Sequence, residues 1–495
     1  MKNYDGILLC GARDGVAGRN IVGYRLRSAA KKFGYNILVL DSATAMSQSE
    51  LESVLNNVIS DRTLMIGIST SWLDKPHHGV SKNIDWVNAD FFNKLKSKYT
   101  NLKVVAGGNG GLKITGSRDI YAAADWHLVG FSDDSFSRLL MLLDKKTNHG
   151  LKYMIGSNGT KTVDSNKFHQ IAYPDDIETE FEIDDNFLSY QPIPLEVSRG
   201  CIFRCAFCNH PFQGVKDADK YMRTPESLAR ELKRNYELFN TTRYAIMDDT
   251  FNDSIEKLDR LERAIEISKI PNFEFVAYIK PELLVTKPQM IRQLTSMGLT
   301  GGFTGIESFN NVARKAINKG MNIDRVLSSI YELISLNPNV KMFASIIVGL
   351  TGDTIDDIYQ WHDTLVANQK ELFRSWKFGP LGIFSYSDID KDTATVSPIE
   401  KDPSKYGYEI TKFDGNYAHW KNKDMTVYDA VRISDDLNDK SKNIKMPSGW
   451  TVASAWHLGE SDDAINNSTL QKLNLALRSR DGVRQRAVDT IKKFT

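Results

Sequence analysis

Cysteine, net charge and long apolar runs are all scarce in this sequence, and each scarcity excludes a class of protein. Four cysteines in 495 residues are too few for a disulfide framework. The chain has 63 basic and 62 acidic side chains, and its net charge of +1 argues against an extended nucleic-acid-binding surface. No apolar run approaches the length of about 18 residues that a membrane span needs, and the start, MKNYDGILLC, is too poor in apolar residues for a secretory signal. These features predict a soluble, cytoplasmic protein with no membrane partner.

The composition is typical of a folded chain with several domains. Hydrophobic residues make up 41% of the sequence and charged residues 25%, so disorder is not expected. At about 150 residues per domain, the length allows about three domains. Changes in the pattern of apolar residues divide the chain into segments 1–145, 146–190, 191–384 and 385–495.

The segment 1–145 alternates short apolar runs with stretches of helical period. This alternation predicts an α/β fold with a doubly wound parallel sheet of flavodoxin or Rossmann type. The predicted strands are Gly6–Cys10, Asn36–Leu40, Leu64–Ser69, Lys103–Ala106 and Trp126–Val129. The predicted helices are Asn20–Phe33, Gln48–Ile59, Asp85–Ser97 and Ser135–Leu143, with Ser47 or Ser49 as an N-cap.

The segment 146–190 is polar, and a turn at Ser157–Gly159 predicts a hairpin followed by a linker. From residue 191 the alternation resumes and predicts a partial (β/α)6 TIM-like barrel, two units short of a complete eightfold barrel. The predicted strands are Leu195–Ser198, Tyr244–Met247, Phe273–Ile279, Gly302–Ile306, Met342–Val348 and Trp376–Ile383. The predicted helices are Pro225–Leu238, Ile255–Ser268, Pro288–Met297, Ile323–Ile334 and Thr354–Asn368.

The segment 385–495 is expected to be a variable C-terminal substrate or cap region. Its tryptophans, Trp420, Trp450 and Trp456, either pack in a small core or stack on a planar substrate. Tyr386, just past the sixth strand, and Trp420 are the candidates for the wall of a substrate pocket.

Three of the four cysteines lie within eight residues, at Cys201, Cys205 and Cys208, directly after the first predicted barrel strand. The carboxyl edge of a barrel is where active sites are built. A structural zinc ion would require a fourth ligand, for which His210 is a candidate. An iron–sulfur cluster on three thiolates would keep one iron open, and an open coordination position suggests catalysis. Cys10 lies in a predicted strand and is expected to be a small core residue.

At these residues the sequence resembles the radical S-adenosylmethionine (SAM) superfamily, whose motif is C-x3-C-x2-C with an aromatic residue before the last cysteine, here Phe207. The resemblance implies that Cys201, Cys205 and Cys208 hold a [4Fe–4S] cluster whose fourth iron is chelated by SAM. It also implies that an electron from an external donor of flavodoxin or ferredoxin type cleaves SAM to methionine and a 5′-deoxyadenosyl radical. The sequence contains no cysteine after Cys208, which argues against families with an auxiliary cluster.

Further stretches resemble motifs at the strand ends of this superfamily. They are Tyr244–Phe251, Gly305–Ser308 and Ser345–Gly352, and the resemblance implies that Phe207, Asp248, Asp249, Glu307 and Ser345 line the SAM pocket. An acidic pair after a strand is also a common helix cap, so Asp248 and Asp249 have that alternative. Arg199, Arg204 and Lys216 flank the cysteines, and they balance the charge of the cluster, pair with the SAM carboxylate or are solvated loop residues.

A doubly wound domain ahead of the core resembles the cobalamin-binding branch of the superfamily. The shared features are Asp41 after the second strand, Gly107 and Gly108 after the fourth, and Ala124–Gly130 near the fifth. This resemblance implies cobalamin at Gly107 and Gly108 and cobalamin-assisted methylation of an unactivated carbon.

One marker of cobalamin binding is missing from the chain. The loop Ala12–Gly18 lacks the histidine of a D-x-H-x-x-G motif, and His127 is expected to be satisfied within the sheet. The alternatives are therefore a radical rearrangement or oxidation without cobalamin, and a non-catalytic iron–sulfur or zinc scaffold. The substrate is not identified by the sequence.

Overall fold

In a computed structural model, the protein consists of two compact units. One unit contains the chain up to Phe181 and the stretch from Asp481 to Thr495, and the other contains Glu182–Ser385 and Val396–Arg480. The structure describes residues 3–10, 19–69, 88–108, 123–156, 159–165, 178–208, 221–369, 371–384, 396–414, 417–447, 449–457, 459–473 and 482–495. In the part of the chain covered by these ranges, no helix combines the length and the apolar character needed to cross a membrane.

The first unit is built on a seven-stranded sheet in the order β2-β1-β3-β4-β5-β7-β6. Its strands are β1 Gly6–Leu9, β2 Ile37–Leu40, β3 Met65–Ser69, β4 Lys103–Gly107, β5 Trp126–Val129, β6 Met154–Ile155 and β7 Lys161–Asp164. All pairs are parallel except β6 with β7. The five predicted strands are confirmed to within one residue at each end. The predicted hairpin also exists, but it is not a separate linker element, because β7 pairs with β5 and extends the sheet.

Helices cover both faces of this sheet, as the doubly wound prediction requires. They are α1 Ile21–Lys31, α2 Gln48–Val58, α3 Ala89–Lys98 and α4 Asp133–Leu143. Ser47 caps α2 and forms a capping box with Glu50, which confirms one of the two predicted caps. Alternate strand residues enter two separate cores, with Leu9 in one and Leu8 and Cys10 in the other. Cys10 is therefore a core residue, as predicted.

The second unit contains a six-stranded parallel sheet whose strands are adjacent in chain order. The strands are β8 Ile193–Leu195, β9 Arg243–Ile246, β10 Glu274–Tyr278, β11 Leu299–Glu307, β12 Lys341–Val348 and β13 Ser375–Pro380. The connecting helices are α5 Pro225–Phe239, α6 Ile255–Ser268, α7 Pro281–Thr286, α8 Gln289–Ser296, α9 Asn311–Ala316, α10 Ile323–Leu336 and α11 Ile355–Ala367. Sequential parallel strands with helical connections form the predicted partial barrel, whose carboxyl edge carries the cysteine loop.

The C-terminal region divides between the two units. In the second unit it forms α12 Pro398–Lys401, the antiparallel pair β14 Glu409–Asp414 and β15 Tyr417–Lys421, α13 Val427–Ser441, α14 Gly449–His457 and α15 Asp462–Asn467. The final helix, α16 Gly482–Phe494, belongs to the first unit. Short 3-10 turns occur at Ala43–Ala45, Ile183–Asp185 and Ser404–Tyr406.

Helix α14 packs against β10, β11 and β12. Trp456 of α14 is buried in a core with Ala245 of β9 and Val276 of β10. Its indole Nε1 donates to Asp462 over 2.9 Å, and the Arg243 guanidinium lies 4.6 Å from the ring centroid. Trp456 therefore packs in a core, which is the first of the two roles considered for the C-terminal tryptophans.

Candidate active site

The cysteine loop begins directly beyond β8 and is closed at its base by backbone pairing. The Arg199 N–H donates to the Tyr221 carbonyl over 2.8 Å, and the Arg223 N–H donates to the Val197 carbonyl over 3.0 Å. Gly200, immediately before Cys201, has φ = 86°, a conformation that favours glycine. The chain therefore leaves the strand, turns sharply and presents the cysteines at the carboxyl edge of the sheet.

Asp248, at the end of β9, holds the base of this loop. Its carboxylate accepts hydrogen bonds from Val197 N at 2.8 Å, Ser198 N at 3.1 Å and Ser198 Oγ at 2.6 Å. Burial raises the pKa of Asp248 to about 6, although Lys257 at 3.5 Å and the donors at Ser198 and Val197 act in the opposite direction. The carboxylate is buried and saturated with loop donors, so it positions the loop that carries Cys201.

The Cys201 thiol is half-buried and lies against the loop that follows β9. Its Sγ is 3.4 Å from Thr250 Oγ1. Burial raises the pKa of the Cys201 thiol, the hydrogen bond with Thr250 lowers it, and the nearby carboxylates of Asp249 and Asp253 raise it further. Asp249 is half-buried and is thus more accessible to a ligand than its neighbour Asp248.

Backbone hydrogen bonds fix the part of the loop that contains Cys205. The Ala206 N–H donates to the Ile317 carbonyl at 3.1 Å, and the Ala206 carbonyl accepts from the Ile399 N–H at 3.0 Å. The Cys208 N–H closes a turn onto the Cys205 carbonyl at 3.1 Å. Cys205, Phe207 and Cys208 are all half-buried, so this pinned loop keeps its thiols accessible.

Lys280, which follows β10, brings a cation to Cys205. Its Nζ lies 4.0 Å from Cys205 Sγ and 4.5 Å from the centroid of the Phe203 ring. Asn252 holds the backbone of Lys280 on both sides, because its Oδ1 accepts from the Lys280 N–H at 2.7 Å and its Nδ2 donates to the Lys280 carbonyl at 3.0 Å. The sequence-based selection of Arg199, Arg204 and Lys216 did not include this lysine.

Glu307, at the end of β11, occupies a strained and crowded position. Its φ of 64° lies in the left-handed region, and the β11–β12 register shifts next to it. The carboxylate pairs with Lys319 at 3.2 Å. Lys319 also donates to the Gly305 carbonyl, and a Cβ at Gly305 would overlap with the Glu307 carboxylate. A side chain at Gly305 would therefore displace the Glu307 carboxylate from this position.

A buried chain of charges joins Glu307 to Lys280. Glu282 accepts from Arg314 at 2.6 Å, lies 4.0 Å from Lys319 and lies 3.7 Å from Lys280. Burial by itself lowers the pKa of Lys319, but Glu307 and Glu282 more than offset this effect and raise it. Lys319 is thus charged, and the chain is a set of alternating cations and carboxylates.

The half-buried face of the sheet carries an aromatic row next to Ser345. The rings of Tyr278, Phe303 and Phe343, on three adjacent strands, have successive centroid distances of 4.7 and 4.6 Å. Ser345, two residues beyond Phe343, pairs in register with Gly305 and is half-buried. Ser345 therefore lies between the aromatic row and the level of Glu307.

The structure separates the predicted residues of this unit into several groups. The three cysteines, Phe207 and Asp249 share the half-buried loop region, and Glu307 and Ser345 lie on the neighbouring strands β11 and β12. Asp248 lies beneath the loop and bonds to its backbone. Arg199 pairs with Glu196 at 2.7 Å, and Arg204 is exposed. His210, Lys216 and Tyr386 lie outside the described residues.

Trp420 is a packing residue and not the pocket wall that the sequence suggested. Its side chain is 1% exposed, and its Nε1 donates to the Leu381 carbonyl at 2.9 Å. The ring packs edge-on against Tyr408 at 5.4 Å and covers Gly349. A side chain with so little exposed surface has no free face for a substrate.

Lys280 and Lys319 are the residues that sequence reasoning missed. Lys280 follows the third predicted strand of the barrel, at the same carboxyl edge as the cysteines, and this position could have identified it. The approach of Lys319 depends on how the turn after β11 folds back onto Gly305, which no local pattern predicts.

In the first unit, Gly107 and Gly108 end β4 at the carboxyl edge of the sheet. Gly108 has φ = 129°, which favours glycine, and among the described residues a Cβ at Gly107 would meet atoms of Leu128 at 3.8–4.0 Å. That distance is ordinary van der Waals contact, so the described residues alone do not require glycine at Gly107. His127 is buried in β5.

Asp41 lies at the carboxyl end of β2 in a buried charged cluster. Its carboxylate accepts from Arg19 at 3.0 Å and from the Tyr24 hydroxyl at 2.8 Å, and it lies 3.8 Å from Arg486 of α16. Burial alone would raise the pKa of Asp41, but Arg19 and Arg486 hold it below its usual range. Asp41 thus binds the last helix of the chain to the sheet edge.

The chemistry of the cysteine loop fits a [4Fe–4S] cluster. The cysteines are free thiols, three of them are half-buried on one fixed loop, and Lys280 offers a charge to balance a thiolate. Within the described ranges, no three His, Cys, Asp or Glu side chains are grouped so that they could hold a metal ion. A cubane makes a different geometric demand from a single ion, because each of its thiolates binds a different iron.

Comparison with known proteins agrees with this chemistry. The model of the Radical SAM superfamily matches residues 195–365. The ribosomal protein uS12 methylthiotransferase RimO of Clostridioides difficile is 26% identical over 306 residues, which cover 58% of this chain and 62% of that protein. RimO of Pseudothermotoga lettingae is 28% identical over 255 residues, which cover 47% of this chain and 54% of that protein. The chain thus spans less than two thirds of the length of these relatives.

Solved structures resemble the chain over almost its whole length. The radical SAM methyltransferase TsrM from Kitasatospora setae, with tryptophan substrate and a SAM analogue bound, has a TM-score of 0.67 at 13% identity and covers 98% of this chain and 99% of its own. The cobalamin-dependent radical SAM enzyme OxsB, with aqua-cobalamin bound, has a TM-score of 0.60 at 11% identity and covers 99% of this chain and 80% of its own. At these identities the likeness is one of fold. The family match assigns residues 195–365, which contain the cysteine loop and most of the barrel, to the Radical SAM superfamily.

Proposed function

We propose that this enzyme cleaves SAM at a [4Fe–4S] cluster held by Cys201, Cys205 and Cys208, and that it transfers a methyl group to an unactivated carbon with the help of cobalamin. The observation that carries the proposal is the fixed, half-buried cysteine loop at the carboxyl edge of the barrel, where Asp249 lies near Cys201 and Glu307 ends β11. When bound, the cluster supplies the electron that splits SAM. An external donor of flavodoxin or ferredoxin type in the cytoplasm delivers that electron.

The residues of this chain divide the work of the site. The loop cysteines bind iron, and Asp248 keeps the loop base in place through Val197 and Ser198. The half-buried Asp249 and Ser345 and the buried Glu307, together with Phe207, contact SAM in this proposal.

The cobalamin part of the proposal rests on the first unit. Its fold resembles that of TsrM and OxsB, and β4 ends at the carboxyl edge of the sheet in Gly107, which is followed by Gly108. The absence of a histidine between Ala12 and Gly18 favours a second candidate, a radical rearrangement or oxidation that consumes SAM without cobalamin.

Anaerobic reconstitution with iron and sulfide tests the first step. We expect an absorbance and an electron paramagnetic resonance (EPR) signal of a [4Fe–4S] cluster, a change of that signal on adding SAM, and 5′-deoxyadenosine after reduction. Cys205→Ala is expected to lose iron and SAM cleavage, whereas Cys10→Ala, at the buried cysteine of the first unit, is the matched control and keeps both. A Cys205→Ala protein with full iron content and normal cleavage would contradict the assignment.

Cobalamin retention tests the second step. The wild-type protein is expected to retain cobalamin through gel filtration, and Gly107→Val is expected to lose it while remaining folded, because among the described residues the added Cβ meets Leu128 at 3.8–4.0 Å, an ordinary contact distance. Gly320→Ala is the control, since a Cβ at Gly320 meets no atom of the described residues within 4 Å. A wild-type protein that forms 5′-deoxyadenosine but binds no cobalamin would support the second candidate.

A further inference from the structure

The ammonium group of Lys280 stands beside the thiol of Cys205 and outside the three-cysteine motif. We propose that Lys280 raises the reduction potential of the cluster, and that Glu282 limits this effect by pairing with the same ammonium group. Lys280 thereby favours electron entry into the cluster through its charge, without binding iron. The inference rests on the proposed function, because it requires a cluster on Cys205.

The position of Lys280 is fixed by its surroundings and does not depend on a mobile side chain. Asn252 bonds to its backbone N–H and carbonyl, and its Nζ lies over the ring of Phe203, a residue between Cys201 and Cys205 in the chain. The side chain is only 11% exposed, so solvent screens its charge weakly. A held and partly desolvated cation 4.0 Å from Cys205 Sγ exerts a stronger field on that sulfur than a solvated surface lysine does.

The sign of the effect follows from the charge of the cluster. Three thiolates make the bound cluster negative, and its one-electron reduction adds another negative charge. A neighbouring cation stabilises the reduced form more than the oxidised form, and the potential rises. Removal of the Lys280 charge should therefore make the cluster harder to reduce.

Glu282 acts on the same ammonium group with the opposite sign. Its side chain is 9% exposed and lies 3.7 Å from Lys280. Burial alone would raise the pKa of Glu282, but Lys319, Lys280 and Arg314 together lower it, so the group is an anion. Among the described residues of this network, Lys280, Lys319 and Arg314 face Glu282 and Glu307, which leaves the network with an excess of positive charge.

Redox titration monitored by EPR tests the inference on the reconstituted full-length protein without SAM. Lys280→Met is expected to shift the midpoint potential to more negative values, and Lys280→Arg, which keeps the charge, is expected to stay close to wild type. Lys233→Met on the outer face of α5 is the control, since its side chain is 63% exposed and its charge is screened by water. Iron content is measured for each variant, so that a loss of cluster is not mistaken for a shift of potential.

Glu282→Gln provides the test of opposite sign, with an expected shift to a more positive potential. An unchanged midpoint in a fully loaded Lys280→Met protein overturns the inference, and so does an equal shift in Lys233→Met. The Lys280 variants decide the question by themselves if the loss of the Glu282 pair with buried Arg314 prevents folding. A wild-type protein that assembles no cluster is a different result, which refutes the proposed function.

Discussion

Replacement of Asp248 tests whether this residue supports the cysteine loop or contacts SAM directly. The effect of the replacement on stability follows from the hydrogen bonds of its carboxylate. Asp248→Ala removes the acceptor for three donors, namely the backbone N–H groups of Val197 and Ser198 and the Ser198 hydroxyl. A buried donor left without an acceptor costs about 1–2 kcal/mol, so the three together cost about 3–6 kcal/mol. This is a large part of the stability of about 5–15 kcal/mol that a folded domain has.

Asp248→Asn is the matched variant that keeps most of these bonds. The Asn carbonyl oxygen still accepts from both backbone N–H groups, while the negative charge opposite Lys257 is lost. Lys257 keeps Asp253 as a partner at 2.9 Å. Because burial already raises the pKa of Asp248 to about 6, the charge is poorly stabilised there, and its loss should cost only about 1–2 kcal/mol.

The assay combines urea unfolding with the iron content after reconstitution. Asp248→Ala is expected to lower the unfolding midpoint and to bind less iron, because the loop with Cys201 loses its anchor, whereas Asp248→Asn keeps most of both. Wild-type stability and full iron content in Asp248→Ala would refute this reasoning. If both variants were fully loaded and equally unable to cleave SAM, the direct contact implied by the family resemblance would be supported instead.

Three further changes test the packing and the charges of the two units. Gly349 has a φ of 108°, and a Cβ at this position would overlap with the buried ring of Trp420. Gly349→Ala should therefore lower the free energy of unfolding in urea by about 2–5 kcal/mol. A loss below about 1 kcal/mol would contradict the packing described for Trp420. The hydrogen bonds from Arg484 lower the pKa of Glu50 to about 2, so this ion pair stabilises α16 at neutral pH and loses its effect as the pH falls from about 4.5 through about 2. Glu50→Gln should increase the rate of amide hydrogen exchange in α16 at neutral pH. An unchanged exchange rate would count against a stabilising role of the pair. Burial raises the pKa of Asp353 to about 8, so the stabilisation from its neutral form is complete below about pH 4 and is lost as the pH rises through about 8. Asp353→Asn should therefore lose less stability than wild type between about pH 6 and about pH 9. Parallel stability profiles of the two proteins against pH would contradict the raised pKa.

Most strands and helices of both sheets could be predicted because they are encoded locally. The exceptions are α7 and α9, which were not predicted, and β8, which shares only Leu195 with the predicted strand Leu195–Ser198. In β1 to β5, apolar residues form short runs, and the observed strands end within one residue of the predicted limits. Ser47 and Glu50 supply the helix cap from adjacent positions in the chain. The cysteine motif is local in the same way, since its spacing within eight residues is enough to indicate a shared metal centre.

The errors and omissions concern contacts between distant residues. Trp420 is a core residue because its side chain is buried. Asp248 supports the loop because its carboxylate bonds to Val197 and Ser198. Neither role can be predicted from the type of the residue alone. The hairpin of β6 and β7 was predicted as a hairpin, but its pairing with β5 was not, because that pairing depends on strand order.

The sequence by itself determined that this chain has two α/β sheets, the second with three clustered cysteines at a strand end, because helical period, strand length and cysteine spacing are properties of neighbouring residues. Only the tertiary structure decided which charges surround those cysteines and where the last helix binds. Lys280 reaches Cys205 from 75 positions away, and Arg484 reaches Glu50 from 434 positions away. Such pairs are brought together by strand order and the packing of whole elements, and the sequence records neither of them at the residues involved.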